Sequence, residues 1–422
     1  MTSLPAAPGD LEDLGEAGRA MPRRVDPVHR WLKWQTFFLS VWGCWPRGRY
    51  KLYYAYTACF VVIYANHFYS SLYGISRVLG DLDKVLTFAN NSSITMPACL
   101  IFATVLTHRG NIRQLCEVVE AFCHQPEVAK HLHVLERTRR IMRNLTLGTL
   151  LMGVLDSLTW CLTERSVTSV FAYANRTNPL PFDRYLPFEP SASAPAFHAA
   201  KALLSFEFTL SVCTFLSTDM ASLALLAYAS SQLEVLLRCL ASLRQDSLEH
   251  VAARRQGQAP AEQEVLTEMR RRLKVLVDLH RSVLRYVNDL QNMIGMLMIV
   301  VFFALTFMIC LSLFQAVTRD MSFRQTYKFA SACIHATVEV FIYCRLGESI
   351  TSKSGVVGTT LYFTDWYDEP DDLKKAYLVI MTRSDRAVVV RAKPFYDVNM
   401  ATFVSVMNAA YTYFNLMREF NK

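Results

Sequence analysis

The sequence predicts an all-α membrane protein with seven transmembrane helices, and three observations carry that expectation. Hydrophobic residues make up 52% of the 422 residues and charged residues only 19%, against roughly 25% charged in ordinary soluble domains. Residues 52–76, 85–107 and 290–318 contain no Lys, Arg, Asp or Glu at all. Runs longer than about 18 such residues match the hydrocarbon core of a bilayer, and a backbone in lipid must satisfy its own hydrogen bonds, so each run is read as a helix. The third observation is the placement of positive charge between the spans, which alternates.

Taken in chain order, residues 1–51 form an N-terminal segment without a secretory signal pattern: acidic Asp10–Glu16 and several Arg precede any long apolar run. The first span is therefore expected to act as its own insertion signal. Seven spans follow, at 52–76, 85–107, 144–163, 202–231, 290–318, 329–344 and 395–417. Counting Lys and Arg, the N-terminal segment and every second connection thereafter hold 33, and the intervening connections hold 9. Positive residues favour the cytoplasmic side. The expected topology is a cytoplasmic N-terminus and an extracellular C-terminus. Asn175, in an Asn-Arg-Thr sequon between spans three and four, would then lie outside and be open to glycosylation. The net charge of +8 is explained by this topology and implies no nucleic acid. Eleven scattered cysteines form no disulfide or metal pattern. No cofactor or metal is expected, and no catalytic constellation appears.

Residues 232–289 read as a cytosolic helical hairpin turning near Gly257. Leu266, Met269, Leu273, Leu276, His280, Val283, Val287 and Leu290 recur at spacings of three and four, the stripe of an amphipathic helix that runs straight into span five. Residues 290–344 hold spans five and six, and residues 345–394 a second cytosolic loop and helix. The last span is unusual. It carries Asp397, Asn399, Thr402, Ser405, Asn408, Thr412 and Asn415, and polar groups at membrane depth face protein or water. A water-facing role for one helix requires several copies around an axis.

Three stretches near the end carry a family resemblance: Tyr343-Cys344-Arg345-Leu346-Gly347-Glu348, continuing to Leu361-Tyr362 and Trp366-Tyr367; the amphipathic stretch 376–383; and Ala401-Thr402-Phe403 followed by Ala410-Tyr411-Thr412-Tyr413-Phe414. With seven spans and extended cytosolic helices, the chain resembles the insect odorant receptors, ligand-gated cation channels of inverted topology. It departs from them in the linker Arg391–Phe395, which lacks a glycine, and in Glu419, where the related gustatory receptors end in Gln. The 58 residues between spans four and five are fewer than in the family's co-receptor, so the resemblance implies a conventional, odorant-tuning subunit. It further implies a heterotetramer with the co-receptor in the plasma membrane of sensory neuron dendrites, and a pore lined by the last helix. Matching the terminal motif puts Leu416 at the hydrophobic gate, Phe420 one turn further, and Asn415 and Glu419 beside the constriction. A small volatile ligand would bind in the outer half of the bundle, among Phe88 and Asn91 (span two), Gly153, Asp156 and Trp160 (span three), Phe208 and Val212 (span four), and Leu311 and Gln315 (span five). Asp156, Glu207, Asp219 and the His335/Glu339 pair are ionisable groups inside spans, which are either functional or structural contacts between helices. Three other readings compete with this one. A gustatory-type channel shares the topology. A G-protein-coupled receptor needs the N-terminus outside, against the charge asymmetry. A secondary transporter needs internal repeats, and Pro97 has no mirrored counterpart.

Overall fold

The computed structural model describes residues 30–45, 51–78, 82–163, 193–255, 259–318, 323–392 and 396–420. Almost all of them are helical. In chain order the helices are α1 (Lys33–Val41), α2 (Lys51–Val78), α3 (Leu82–Cys123), α4 (Leu132–Thr163), α5 (Ala194–Ala241), α6 (Leu243–Arg254), α7 (Glu262–Thr318), α8 (Phe323–Gly355), α9 (Val357–Tyr362), α10 (Asp371–Ser384) and α11 (Met400–Phe420). The first six apolar stretches each fall inside one long helix: α2, α3, α4, α5, α7 and α8. Among the described residues, the helices spanning Ala194–Ala241, Glu262–Gln315 and Phe329–Tyr362 are long and apolar enough to cross a membrane by composition alone.

The bundle is organised around α5. Every residue from Leu210 to Leu233 is buried, because the helix is apolar or small on all sides and α1, α3, α4, α7 and α8 surround it. A helix without a polar face has no stable position at a surface. α4 and α3 pack on it most extensively, α2 lies outside against α3, and α11 sits at the periphery against α7 and α8.

The amphipathic stripe of α7 is buried inside this chain. Met269, Leu273, Leu276, Val283, Val287 and Leu290 are each at most 3% exposed, α6 and α3 pack against the helix, and α7 continues unbroken for 57 residues. The hairpin turn near Gly257 lies outside the described residues, but Arg255 Nη2 and Glu264 Oε1, 2.6 Å apart, join the two helices beside it. Glu268 accepts from Arg271 and Arg272 at 2.8 Å. Arg271 chiefly, with Arg272, holds its carboxyl down to about 2 despite burial. Arg271 also reaches Glu127 (3.1 Å), tying this extension to the α3–α4 connection.

Two features refine the sequence-derived outline. First, the segment before span one contains a packed helix. α1 packs on α5 and α4: Gln35 Nε2 donates to Thr146 Oγ1 (2.9 Å), Trp42 Nε1 to Ser217 Oγ (2.8 Å), and Tyr228 Oη to the Trp31 carbonyl (2.6 Å). Gly43 then turns the chain at φ +71°, with a Phe60 ring carbon 3.2 Å from where a Cβ would sit. Second, the last helix starts at Met400 rather than near Phe395. Asp397 belongs to a two-stranded hairpin, β1 (Arg391–Ala392) with β2 (Tyr396–Asp397), paired antiparallel as Arg391↔Asp397 and Ala392↔Tyr396. Asn399 Oδ1 then accepts the Thr402 amide (2.9 Å), a side chain satisfying a free helix-terminal donor. Short polar residues such as Asp and Asn compete with the helix backbone and so favour turns and caps over span interiors.

Candidate functional site

Small residues open a cavity of about 60 Å³ between α4, α5, α7 and α8. Gly153 and Ser157 form its α4 wall beside Asp156, Phe208, Val212, Phe215 and Leu216 come from α5, Ala304, Leu305 and Met308 from α7, and Ala332, His335 and Glu339 from α8. On each helix the contributors recur at three or four residues, so one face of each is turned inward. Gly153 lets α4 and α5 approach: a Cβ there would overlap Leu216 Cδ1 and stand 3.4 Å from Val212 Cγ1. The walls are apolar except for Asp156, Ser157, His335 and Glu339.

The polar side continues into the bundle. His335 Nδ1 lies 3.5 Å from Glu339 Oε2, Glu339 meets the carboxyl of Asp219, and the Tyr343 hydroxyl donates to Asp219 Oδ1 at 2.5 Å. Asp219 is 1% exposed and Glu339 3%. Asp156 also bonds the Ser331 hydroxyl. A separate buried contact joins α2 to α5, with His67 Nδ1 3.7 Å from Glu207 Oε2.

Four residues expected at a ligand pocket are brought together in this cavity: Gly153, Asp156, Phe208 and Val212. Leu311 and Gln315 are not among its walls. They lie one and two turns beyond Met308 on the same face of α7, where Leu311 clusters instead with Cys310, Phe314 and Phe414 of α11. The side chains of Trp160, Phe88, Asn91 and Phe420 lie outside the described residues, as does Asn175. His335 and Glu339 were legible as a buried pair but not as cavity walls. Their spacing with Ala332 was the available signal, since residues 332, 335 and 339 share one helical face.

α11 has two unlike faces. Ala410 and Phe414 are buried, and Phe403 packs edge-on against Phe341 of α8 with ring centroids 5.6 Å apart. On the opposite side Ala401, Ser405, Asn408, Thr412, Leu416 and Glu419 are all exposed. At 100° per residue these six fall within a narrow sector. Leu416 is 51% exposed, so it does not pack into the bundle, and Asn415 is half-buried at the sector's margin. The start of α11 is held to α8: Glu348 Oε2 accepts the Met400 amide (2.9 Å), and a Cβ on Gly347 would overlap the Val398 carbonyl oxygen and stand 3.0 Å from Val398 Cβ and Cγ1.

A bundle of long helices, three of them apolar enough to cross a bilayer among the described residues, defines a class of helical integral membrane protein. The comparisons give the family. A model described as 7tm Odorant receptor matches residues 84–411, and the chain belongs to that family, whose members are membrane-embedded receptors rather than enzymes. Among curated relatives, Odorant receptor 13a of Drosophila melanogaster is 20% identical over 409 residues, covering 91% of this chain and 94% of that protein. Odorant receptor 22c of the same fly is 25% identical over 158 residues, 37% of this chain, and the match spans only 39% of that protein. The Odorant receptor coreceptor of Aedes aegypti is 24% identical over 35% of this chain and 31% of its own length. The solved olfactory receptor OR5 of Machilis hrabei, in complex with eugenol, superposes with a TM-score of 0.77 over 93% of this chain and 98% of that one, at 14% identity. That likeness establishes the fold.

Proposed function

We propose that this chain is an odorant-tuning subunit of a ligand-gated, non-selective cation channel. The observation that carries the reading is the narrow exposed sector of α11, polar apart from Ala401 and Leu416, flanked by exposed Val404, Tyr411 and Tyr413, and opposite the face that packs on α7 and α8. Such a sector is costly against lipid and suited to water. Since one helix encloses nothing, the pore needs several subunits around an axis, and the partner is the family's co-receptor in a heterotetramer. Leu416 forms the apolar ring that closes the pore by dewetting. Asn415 and Glu419 border it, the carboxylate of Glu419 favours cations, and Phe420 follows beyond.

The charge asymmetry between connections supports a cytoplasmic N-terminus and an extracellular C-terminus, the orientation opposite to that of a G-protein-coupled receptor. Residues 232–289 and 345–394 then form a cytosolic anchor of packed helices, and Asn175 is an outward glycosylation site. The cavity between α4, α5, α7 and α8 takes a small volatile organic ligand, and the protein resides in the plasma membrane of sensory neuron dendrites. The test is cysteine substitution along α11 in cells expressing the chain with the co-receptor. Thiol reagents are expected to block ligand-evoked current at residues 405, 408, 412 and 416 and to spare 410 and 414. A scan in which no position responds overturns the channel reading.

A further inference from the structure

We infer that the ligand this cavity selects is an organic amine, a short hydrocarbon body carrying a protonated nitrogen. The inference rests on the cavity being the ligand site, as proposed above, and adds the chemical class. Asp156 and Glu339 line the cavity from opposite helices, and Asp219 stands directly behind Glu339. Two carboxyl groups and one imidazole, that of His335, thus line the space, a third carboxyl backs one of them, and no Lys or Arg lines it. Buried acidic groups ordinarily face a cation or a set of donors. Glu339 and Asp219 meet carboxyl to carboxyl; apart from that shared contact, Glu339 Oε1, Glu339 Oε2 and Asp219 Oδ2 receive no hydrogen bond among the described residues. The His335 ring nitrogen stands 3.5 Å from Glu339 Oε2, too far for a good bond.

What is missing is a group with several N–H donors and positive charge. A primary ammonium carries three donors and no acceptor. A metal ion is a poorer match, because no group of three or more His, Cys, Asp or Glu among the described residues is arranged to hold one. Apart from Ser157, the remaining walls are apolar: Phe208, Phe215, Leu216, Leu305 and Met308 are buried hydrocarbon or aromatic surfaces that suit an alkyl body. An ester or ketone of the same size offers only acceptors to a wall that already has them in excess.

The test records cation currents in cells expressing the chain with the co-receptor, comparing pentylamine, pentanol, pentanone and pentyltrimethylammonium. Pentylamine is expected to act at a concentration about ten- to a hundredfold lower than the others, the scale of one or two charge-assisted hydrogen bonds. Asp156→Asn and Glu339→Gln should each raise its half-maximal concentration at least about tenfold while moving that of pentanol by less than about threefold. The trimethylated compound keeps the charge without N–H donors and tests the donor argument on the unaltered protein, whether or not the variants reach the surface. Pentanone or pentanol acting as well as pentylamine, equal potency of the trimethylated compound, or variants that shift every ligand alike would overturn the assignment. So would silence toward the amine. The cysteine scan of α11 stands apart, since a pore position can respond whichever volatile opens the channel.

Discussion

Gly347→Ala is expected to destabilise the protein at the point where α8 meets the last helix, against the usual effect of that substitution. In an open helical position Gly→Ala contributes up to about 1 kcal/mol of stability, because alanine has less backbone entropy to lose. At Gly347 the added methyl would overlap the Val398 carbonyl oxygen and press on Val398 Cβ and Cγ1, both 3.0 Å away. The obstructing atom is backbone and cannot rotate aside, so the segment leading into α11 has to move. Overpacking of this kind costs about 1–3 kcal/mol. The same movement stretches the Glu348–Met400 bond of 2.9 Å, whose loss adds about 1 kcal/mol, the scale of a helix cap. The net expectation is a loss of roughly 1–3 kcal/mol, seen as a fall of about 1–3 °C in the unfolding temperature of the detergent-solubilised protein. Gly110→Ala is the control: nothing lies within 4 Å of a Cβ there, and it should be neutral or stabilising. If Gly347→Ala unfolds at or above the temperature of Gly110→Ala, the close approach of α8 and residue 398 is not real and the reasoning fails.

Two further outcomes are expected. Gly153→Ala meets a side-chain methyl, Leu216 Cδ1, rather than backbone, so Leu216 should turn into the cavity; ligand potency falls about tenfold while stability changes by less than about 1.5 kcal/mol. An unfolding temperature lowered by many degrees would show that this wall is rigid. His280, buried in the α7 extension beside Arg383, is held down to about 4 from 6.5 by desolvation first and that guanidinium second. A histidine depressed in the folded state leaves the unfolded chain binding more protons, so its contribution is intact above about pH 6.5 and is lost as pH falls toward 4, by a total of about 3 kcal/mol. His280→Leu should remove that part of the acid sensitivity in a pH series of unfolding temperatures, and an unchanged slope would show that the imidazole is not desolvated.

Much of the architecture was readable because bilayer chemistry is severe: uncharged runs of spanning length in lipid have few alternatives to helix. The elements that escaped are those decided by tertiary contact. α1 is only nine residues long, too short to be stable in isolation, and becomes ordered because Gln35, Trp42 and the Trp31 carbonyl find partners on α4 and α5. Its hint in the sequence was the density of aromatics from Trp31 to Trp45. The start of α11 was misjudged because Asp397 and Asn399 look like polar groups within a span, whereas they terminate a hairpin and cap a helix. In the cavity, the face of α7 was evident from periodicity but not the depth. Leu311 and Gln315 share that face with Ala304 and Met308, yet periodicity cannot say where along a face the neighbouring helix stops being α5 and becomes α11. The placement of Glu339 against Asp219 depends on two helices more than a hundred residues apart, and a single sequence holds no record of that pairing.

The arrangement also gives a physical route from cavity to last helix. α7 and α8 each contribute to both. Ala304, Leu305 and Met308 line the cavity, and Cys310, Leu311 and Phe314 of the same helix cluster with Phe414. Ala332, His335 and Glu339 line it from α8; about half a turn on, Phe341 packs on Phe403, and two to three turns on, Gly347 abuts Val398 and Glu348 holds the Met400 amide. Phe302 stacks between these regions, edge-on to Tyr343 at 5.7 Å and parallel to Tyr396 at 6.1 Å. Packed interiors have low compressibility and transmit strain, so a ligand that wedges α7 from α8 must move groups touching α11. Shape alone makes this coupling available to any ligand that fills the space. On the amine reading proposed above, a ligand that also engages Asp156 and Glu339 opens the channel only by binding the displaced arrangement more tightly than the resting one, because only such a difference in affinity can shift a conformational equilibrium.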